Sequence, residues 1–447
     1  MDISRRNFLN KAIAAGGAGV IVSSGVARGD TNPDSSQGYP NIEGTINVKA
    51  YGAKGDGSTN DTAAFQAALD AASKAGGGIV SAPTGQYHIN GNLVIPGGVT
   101  LQGTYRVPPC NNTDEKQPKL YGSVLLAYAG RGNPEEEPFI RLQGNMSTLT
   151  GFIITYPEWS QLDVPPVPYP PTVLGEGNIV NAGVTDCFFL NTYEAVRLVA
   201  AHRHLIRNVH GYPHKRGIYV DSCGDVGRIE NCHFWPFGVN YEPEDPFCKW
   251  VNTNAVAFEF AKTDWQYVLN TFCFGYGVGY KFSESEHGAC NGNFLGIGAD
   301  CCERALLVEQ AQPFGLLITN GEFVGRWGSK TAICIEIGKS VNSKISLTNC
   351  SFWGPNYKII VQKSPDAQLT ANACHFENWD EQAIQIDEGK AILQGNTFMK
   401  KKPAIWVGAN VKSAIISSNQ SADGLIVQND AGERTLMGMN ENPIINQ

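Results

Sequence analysis

Thr185-Asp-Cys-Phe-Phe189, Glu230-Asn-Cys-His-Phe234, Thr319-Asn-Gly-Glu-Phe323, Thr348-Asn-Cys-Ser-Phe352 and Ala373-Cys-His-Phe376 are near copies of one line. Asn291-Gly-Asn-Phe294 and Gly395-Asn-Thr-Phe398 are looser copies. The phenylalanines at 274, 294, 323, 352, 376 and 398 fall 20, 29, 29, 24 and 22 residues apart. An irregular period of that size belongs to stacked coils, each contacting only its neighbours. Such a solenoid presents long flat sides, which suit long polymers.

Each unit carries a second, alternating strand. The copies are Ala195–Val199, Gly217–Asp221, Ala255–Glu259, Gly279–Ser283, Ala305–Glu309, Ala332–Glu336 and Ala383–Asp387. Positions two and four are apolar in every copy and are expected to point inward, with three and five outward. Short strands, Gly and Asn corners and no long amphipathic helix predict an all-β fold, a right-handed parallel β-helix. Cys187, Cys232, Cys350 and Cys374 are expected on one inner wall, packed as small hydrophobes. Asn231, Asn320 and Asn349 fall at the turns, where an Asn ladder would run from coil to coil. The twelve cysteines lack paired C-x-x-C spacing, which argues against a zinc site. In Cys301-Cys302 one side chain is expected inside and one outside.

The chain has 447 residues and a formal net charge of −8. A solenoid grows in one dimension, so this length needs only one domain. Residues 1–27 read as an export signal. Ser4-Arg5-Arg6-Asn7-Phe8-Leu9 is followed by an apolar run to Val22 and by Gly25-Val26-Ala27, and this resembles a bacterial twin-arginine signal. The resemblance implies passage through the twin-arginine translocase as a folded protein, and a periplasmic or secreted location. Removing 1–27 takes three bases and one acid, so the charge moves from −8 to −10. Residues 28–44 read as a flexible leader, 45–432 as the β-helix and 433–447 as a tail along the last coil. No later stretch is long and apolar enough to span a membrane.

Ile46-Asn-Val-Lys-Ala-Tyr-Gly-Ala-Lys-Gly-Asp-Gly-Ser-Thr-Asn-Asp-Thr-Ala-Ala-Phe65 is followed by a short helix, Gly76-Gly-Gly-Ile-Val80 and Pro83-Thr-Gly-Gln-Tyr87. This opening resembles that of the pectate-lyase-like and rhamnogalacturonase-like β-helix superfamily. The resemblance implies the fold over roughly residues 46–430. The superfamily includes lyases, glycosidases, epimerases and phage tailspikes, so the opening selects no single reaction. The catalytic sets of polygalacturonases and classical pectate lyases have no counterpart here. Read physically, Asn60 or Asp61 caps a helix over 62–74 that covers the first coil, and Asp56 belongs to a turn.

Position five of the alternating strand is acidic at Asp221, Glu259, Glu309, Glu336 and Asp387. If the copies are in register, Asp221 and Glu259 are neighbours about 4.8 Å apart. That suits the paired carboxyls of a retaining glycoside hydrolase, the first functional expectation. Two proline-rich insertions, 156–171 and 235–250, offer Trp159, Tyr169, Trp235, Tyr241 and Trp250 as sugar-stacking platforms, with Lys281 and Glu309 as further substrate contacts. The second expectation is a polysaccharide lyase or uronate epimerase. Tyr219, His210 or His214 would act as base and Arg216 or Lys281 would neutralise the uronate. A lyase would admit calcium as a cofactor; otherwise none is implied. The third is a non-catalytic carbohydrate-binding solenoid. Lys281, Glu284, Glu286 and His287 form a second mixed cluster, and Asp264-Trp265 and Arg326-Trp327 are weaker corner features. Nothing in the chain points to nucleic acid, and monomer and homotrimer are both open.

Overall fold

Backbone pairing from coil to coil builds the molecule. The computed structural model describes residues 44–106 and 118–446. The signal and nearly all of the leader lie outside those residues. Every strand pairing between coils is parallel, and three ladders run the length of the solenoid. Face A contains Glu194–His202, Arg216–Asp221, Val256–Phe260, Val278–Phe282, Arg304–Val308 and Ile333–Ile337. Face B contains Arg228–Glu230, Thr263–Leu269, Cys290–Leu295, Leu316–Thr319 and Lys344–Thr348. Face C contains His233–Phe234, Phe272–Phe274, Gly298–Cys302, Glu322–Gly325 and Ser351–Phe352. The fold is the expected parallel β-helix.

The interior is a set of stacked rows. Ile218, Phe258, Tyr280, Leu306, Ile335, Ile360, Ile384 and Ile405 are successive ladder partners. All are fully buried. Each such side chain contributes about 1.5–3 kcal/mol. Phe258 and Tyr280 stack at 4.8 Å, as do Phe376 and Phe398. Cys187, Cys232, Cys350 and Cys374 are buried as expected. Cys301 and Cys302 are both buried, against expectation, because the chain turns at Cys301 with φ +54.

One residue makes the corner between faces B and C. Asn208, Asn231, Asn270, Asn320 and Asn349 hold it with φ of 50–55, a conformation that asparagine tolerates. The side chains form the ladder read from the repeat. Asn349 Nδ2 donates to Asn320 Oδ1 at 2.8 Å, and Asn231 donates to Asn208 at 3.4 Å. A buried ladder further on joins Asn396 Nδ2 to Asn419 Oδ1 at 2.9 Å and Asn419 Nδ2 to Asn440 Oδ1 at 3.0 Å.

Helix α1 (Thr62–Lys74) buries Phe65, Ala68, Leu69 and Ala72. Its start divides two tasks that the sequence left open. Asn60 Oδ1 accepts from the Thr62 backbone at 3.1 Å. Asp61 makes no cap bond and instead accepts from the Lys54 and Gly55 backbones at 2.6 and 2.9 Å, pinning the preceding turn. At Gly55 (φ +65) a Cβ would meet the Tyr87 ring at 2.9 Å, so only glycine fits. Asp56 is a turn residue, accepting from the Ser58 and Thr59 backbones. Thr435–Gly438 and Ile444–Asn446, expected as part of a tail, are rungs paired in parallel with the preceding coil.

Asn396 Oδ1 accepts from the Cys374 backbone at 2.9 Å, and its Nδ2 also donates to Ala371 O at 3.0 Å. Asn396→Ala leaves buried backbone groups unpaired and is expected to lower the unfolding free energy by about 2–3 kcal/mol. Denaturant titration measures it. A loss below about 0.5 kcal/mol would mean that the ladder adds nothing beyond an ordinary surface change.

Candidate active site

The register of face A decides which side chains are neighbours. Leu174, Arg197, Tyr219, Glu259, Lys281, Leu307 and Glu336 form one outward row of successive partners. Glu259 is therefore the rung partner of Tyr219, and Asp221 is not its neighbour as expected. Two copies of the repeat had slid by two residues. The segments that match Gly217–Asp221 are 257–261 and 334–338. A period-two pattern is unchanged by a two-residue slide, so alternation alone leaves this error invisible. Asp221 lies diagonally from Glu259, about 8 Å away by strand spacing and rise.

Arg216 enters this face at the start of its strand and organises it. Its Nε lies 3.1 Å from Glu194 Oε1 and its Nη1 3.0 Å from Glu259 Oε2. Arg197 Nη2 meets Glu194 Oε2 at 2.6 Å. Lys281 Nζ lies 3.4 Å from Glu259 Oε1 and 3.3 Å from Glu309 Oε2. The result is an alternating row: Arg197, Glu194, Arg216, Glu259, Lys281, Glu309. The Arg216 guanidinium stands 4.3 Å from the centroid of the Tyr219 ring. Tyr219 donates to Asp221 Oδ2 at 3.3 Å. Asp221 Oδ1 accepts from the Ser222 and Lys262 backbones at 2.7 and 3.1 Å and from Ser285 Oγ at 2.7 Å.

Glu194, Asp221 and Glu259 are all buried, with 4%, 6% and 8% of each residue exposed. Charges this dry require partners. Burial raises the Tyr219 pKa, and Asp221 and Glu259 raise it further, so the phenol keeps its proton. Burial opposes the charge on Arg216, but Glu194 and Glu259 overcome it and the net shift is upward. Sequence reasoning missed Glu194, whose signal was its place three residues before Arg197. It also missed Ser285, which lies between the acids singled out at 284 and 286.

Of the basic segment 202–216, only Arg216 joins the row. His210 and His214 are buried, and burial lowers both pKa values to about 3. His214 packs against Trp159 and Phe247 at 5.3 and 4.8 Å. His210 lies on face C, 5.8 Å from His233. Neither is placed to meet a substrate on face A, which corrects their reading as bases.

The two insertions hold each other. The Asn240 backbone donates to Gln161 Oε1 at 3.0 Å, and Gln161 Nε2 donates to Asn240 O at 2.9 Å. The second insertion contains an unforeseen helix, α2 (Pro246–Asn254), capped by Asp245 with Pro246 in its first turn. Tyr169 is buried, Trp159 and Tyr241 pack on the main core, and Trp235 packs on a second apolar cluster around Phe188 and Phe237. Trp250 also packs on the main core, with Lys215 Nζ 5.7 Å from its ring centroid. These aromatics stiffen the loops that lead into face A. Their expected role as open sugar platforms is not what the packing favours. Among the described residues, no three of His, Cys, Asp and Glu come together as metal ligands.

The chain is a parallel β-helix with a polar, charge-lined flat face, and it resembles known proteins in part of its length. Residues 45–149 match the family described as rhamnogalacturonase A/epimerase, pectate lyase-like. Alginate lyase 7 of Azotobacter vinelandii is 64% identical over 64 residues, 13% of this chain and 8% of that protein. Mannuronan C5-epimerase AlgE4 of the same organism is 35% identical over 113 residues, 24% of this chain and 20% of that protein. The matches thus span a fifth or less of the length of these two relatives. The catalytic unit of a thermostable GH87 α-1,3-glucanase from Streptomyces thermodiastaticus strain HF3-3 superposes with a TM-score of 0.53 at 12% identity, covering 92% of this chain and 70% of that one. That likeness is one of fold.

Two predictions follow from the burial of these charges and rings. Arg216→Ala removes the cation shared by two buried carboxylates, leaving Glu194 only Arg197 and Glu259 only Lys281, and is expected to cost about 2–3 kcal/mol in denaturant unfolding; a loss under about 1 kcal/mol would show the row to be ordinary surface pairing. Burial also lowers the pKa of His204 and His233 to about 4 and that of His210 and His214 to about 3. Unfolded histidine titrates near 6.5, so the unfolded chain binds more protons. Stability is full above about pH 6.5 and falls as pH drops toward the folded values. The melting temperature should decline steadily from pH 6.5 to 4, and a flat profile would contradict the burial.

Proposed function

We propose that this chain acts on a uronate-containing polysaccharide by removing the proton α to the sugar carboxylate, as a lyase or a C5-epimerase. The observation that carries this is the placement of Tyr219 on the ion row, flanked by Arg216 and Glu259, with its hydroxyl on Asp221. The names of the sequence relatives, alginate lyase and mannuronan C5-epimerase, support a polyuronate substrate. The Ser4–Leu9 motif supports action outside the cytoplasm, in the periplasm or beyond.

Lys281 bridges two carboxylates at long range, so it is the cation best placed to turn to a third, that of the substrate. Neutralising this group stabilises the carbanion that forms beside it. Tyr219 takes the C5 proton while passing its own to Asp221, a relay that avoids a free phenolate. In elimination, the C4–O bond then breaks, a C4–C5 double bond forms and the leaving oxygen takes up the proton. In epimerisation, a proton from solvent water is delivered to C5 from the opposite side, and Asp221 releases its proton to solvent.

Glycoside hydrolysis, the first expectation from sequence, has less support. Its acid must have a proton to give, and Glu259 is engaged through both oxygens by Arg216 and Lys281.

Polyuronate digests read together for reducing ends and for ultraviolet absorbance of the new double bond test the proposal, with sugar composition as the readout for epimerisation. Tyr219→Phe is expected to lower kcat by about 100-fold or more, and Lys281→Ala to raise KM. Reducing ends without absorbance, or full activity in Tyr219→Phe, would overturn it.

A further inference from the structure

Face C carries a second feature that the ion row does not use. His233, Phe272, Gly298, Glu322 and Ser351 are successive outward partners there. Gly298 opens a gap in that row, and a Cβ at this position would meet the Phe272 ring at 2.9 Å. The gap is a cavity of about 360 Å³ lined by Phe272, Gly298, Asp300, Asn320, Glu322 and Trp353.

Trp353 is 45% exposed, and neighbouring Trp327 is 50% exposed. Half-exposed tryptophans beside one cavity leave a large apolar area facing water, which marks interaction sites. Trp327 Nε1 donates to Asp300 Oδ1 at 3.2 Å and holds that carboxyl at the rim. Burial raises the Asp300 pKa. The Glu322 carboxylate has no hydrogen-bond or ion-pair partner among the described residues, while its backbone N–H donates to Ile297 O at 3.0 Å. Asn320 Oδ1 is taken by Asn349, which leaves its amide protons for a ligand.

We infer that this cavity is a binding site for an uncharged pyranose unit of an oligosaccharide, separate from the ion row. The sugar ring would lie on Trp353, with its hydroxyls donating to Asp300 and Glu322 and accepting from Asn320. No lysine or arginine lines the cavity, so a uronate would meet two carboxylates and no cation. The site therefore selects against the charged sugar that face A is built to accept. It stands whether or not the reaction proposed for Tyr219 is correct.

The test is calorimetric titration of the full chain with neutral gluco-, manno-, galacto- and xylo-oligosaccharides and, separately, with oligouronates. At least one neutral probe is expected to bind saturably. Trp353→Ala should weaken that binding ten-fold or more and Glu322→Lys should abolish it, while Tyr219→Phe leaves it unchanged. Both substituted positions are exposed, and unchanged melting temperatures verify folding. Binding of no neutral probe, binding that survives Trp353→Ala, or oligouronate binding that Trp353→Ala removes would each overturn the inference.

Discussion

Each coil must hydrogen-bond to the next at a fixed spacing of about 4.8 Å, in register, along three faces at once. Everything else in this structure answers to that constraint. Inside, it stacks like on like, and Phe352, Phe376 and Phe398 follow one another at 5.0 and 4.8 Å. At the corner it lets asparagines of adjacent coils pair, as Asn349 does with Asn320 and Asn231 with Asn208. Outside, the same stacking would bring like charges together, which is unfavourable at this spacing. Face A avoids this by alternation, with Glu194, Arg216, Glu259 and Lys281 each meeting the opposite sign.

That alternation also sets the electrostatics of the face. A row whose central carboxylates, Glu194 and Glu259, are buried against half-buried cations is costly to assemble and rigid once assembled. In the proposed reaction that rigidity would hold Tyr219 against Arg216 and Asp221 without reorganisation, which is what electrostatic catalysis requires. The insertions contribute stiffness in the same way. Gln161 and Asn240 lock them together, and Trp159 of the first packs on Phe247 of the second and on His214.

The fold was legible because the repeat is written in residue types. Phe and Cys two apart, with Asn before them, specify a wall and a corner. The register was not fully legible. Alternation separates inside from outside but says nothing about a slide of two, and this moved Glu259 from Asp221 to Tyr219. Arg216, Tyr219 and Lys281 were singled out because their types suit uronate chemistry, and the register brings them together on face A. Glu194 was missed because it stands just ahead of the repeat. His210 and His214 were misplaced for a different reason. They were chosen because histidine suits a base, but His210 stands on face C, where Phe237 of the second insertion covers it at 6.2 Å. A loop that folds back over a strand leaves no local trace in the sequence.

The most direct test of proton removal at C5 is isotope exchange. The purified chain is incubated with polymannuronate and, separately, polyguluronate in deuterium oxide, and the sugar protons are followed by NMR. If face A works as described, the products lose the C5 proton signal, through elimination or through deuterium incorporated at C5. Polymer that is cleaved or bound while every C5 proton is retained would contradict the account.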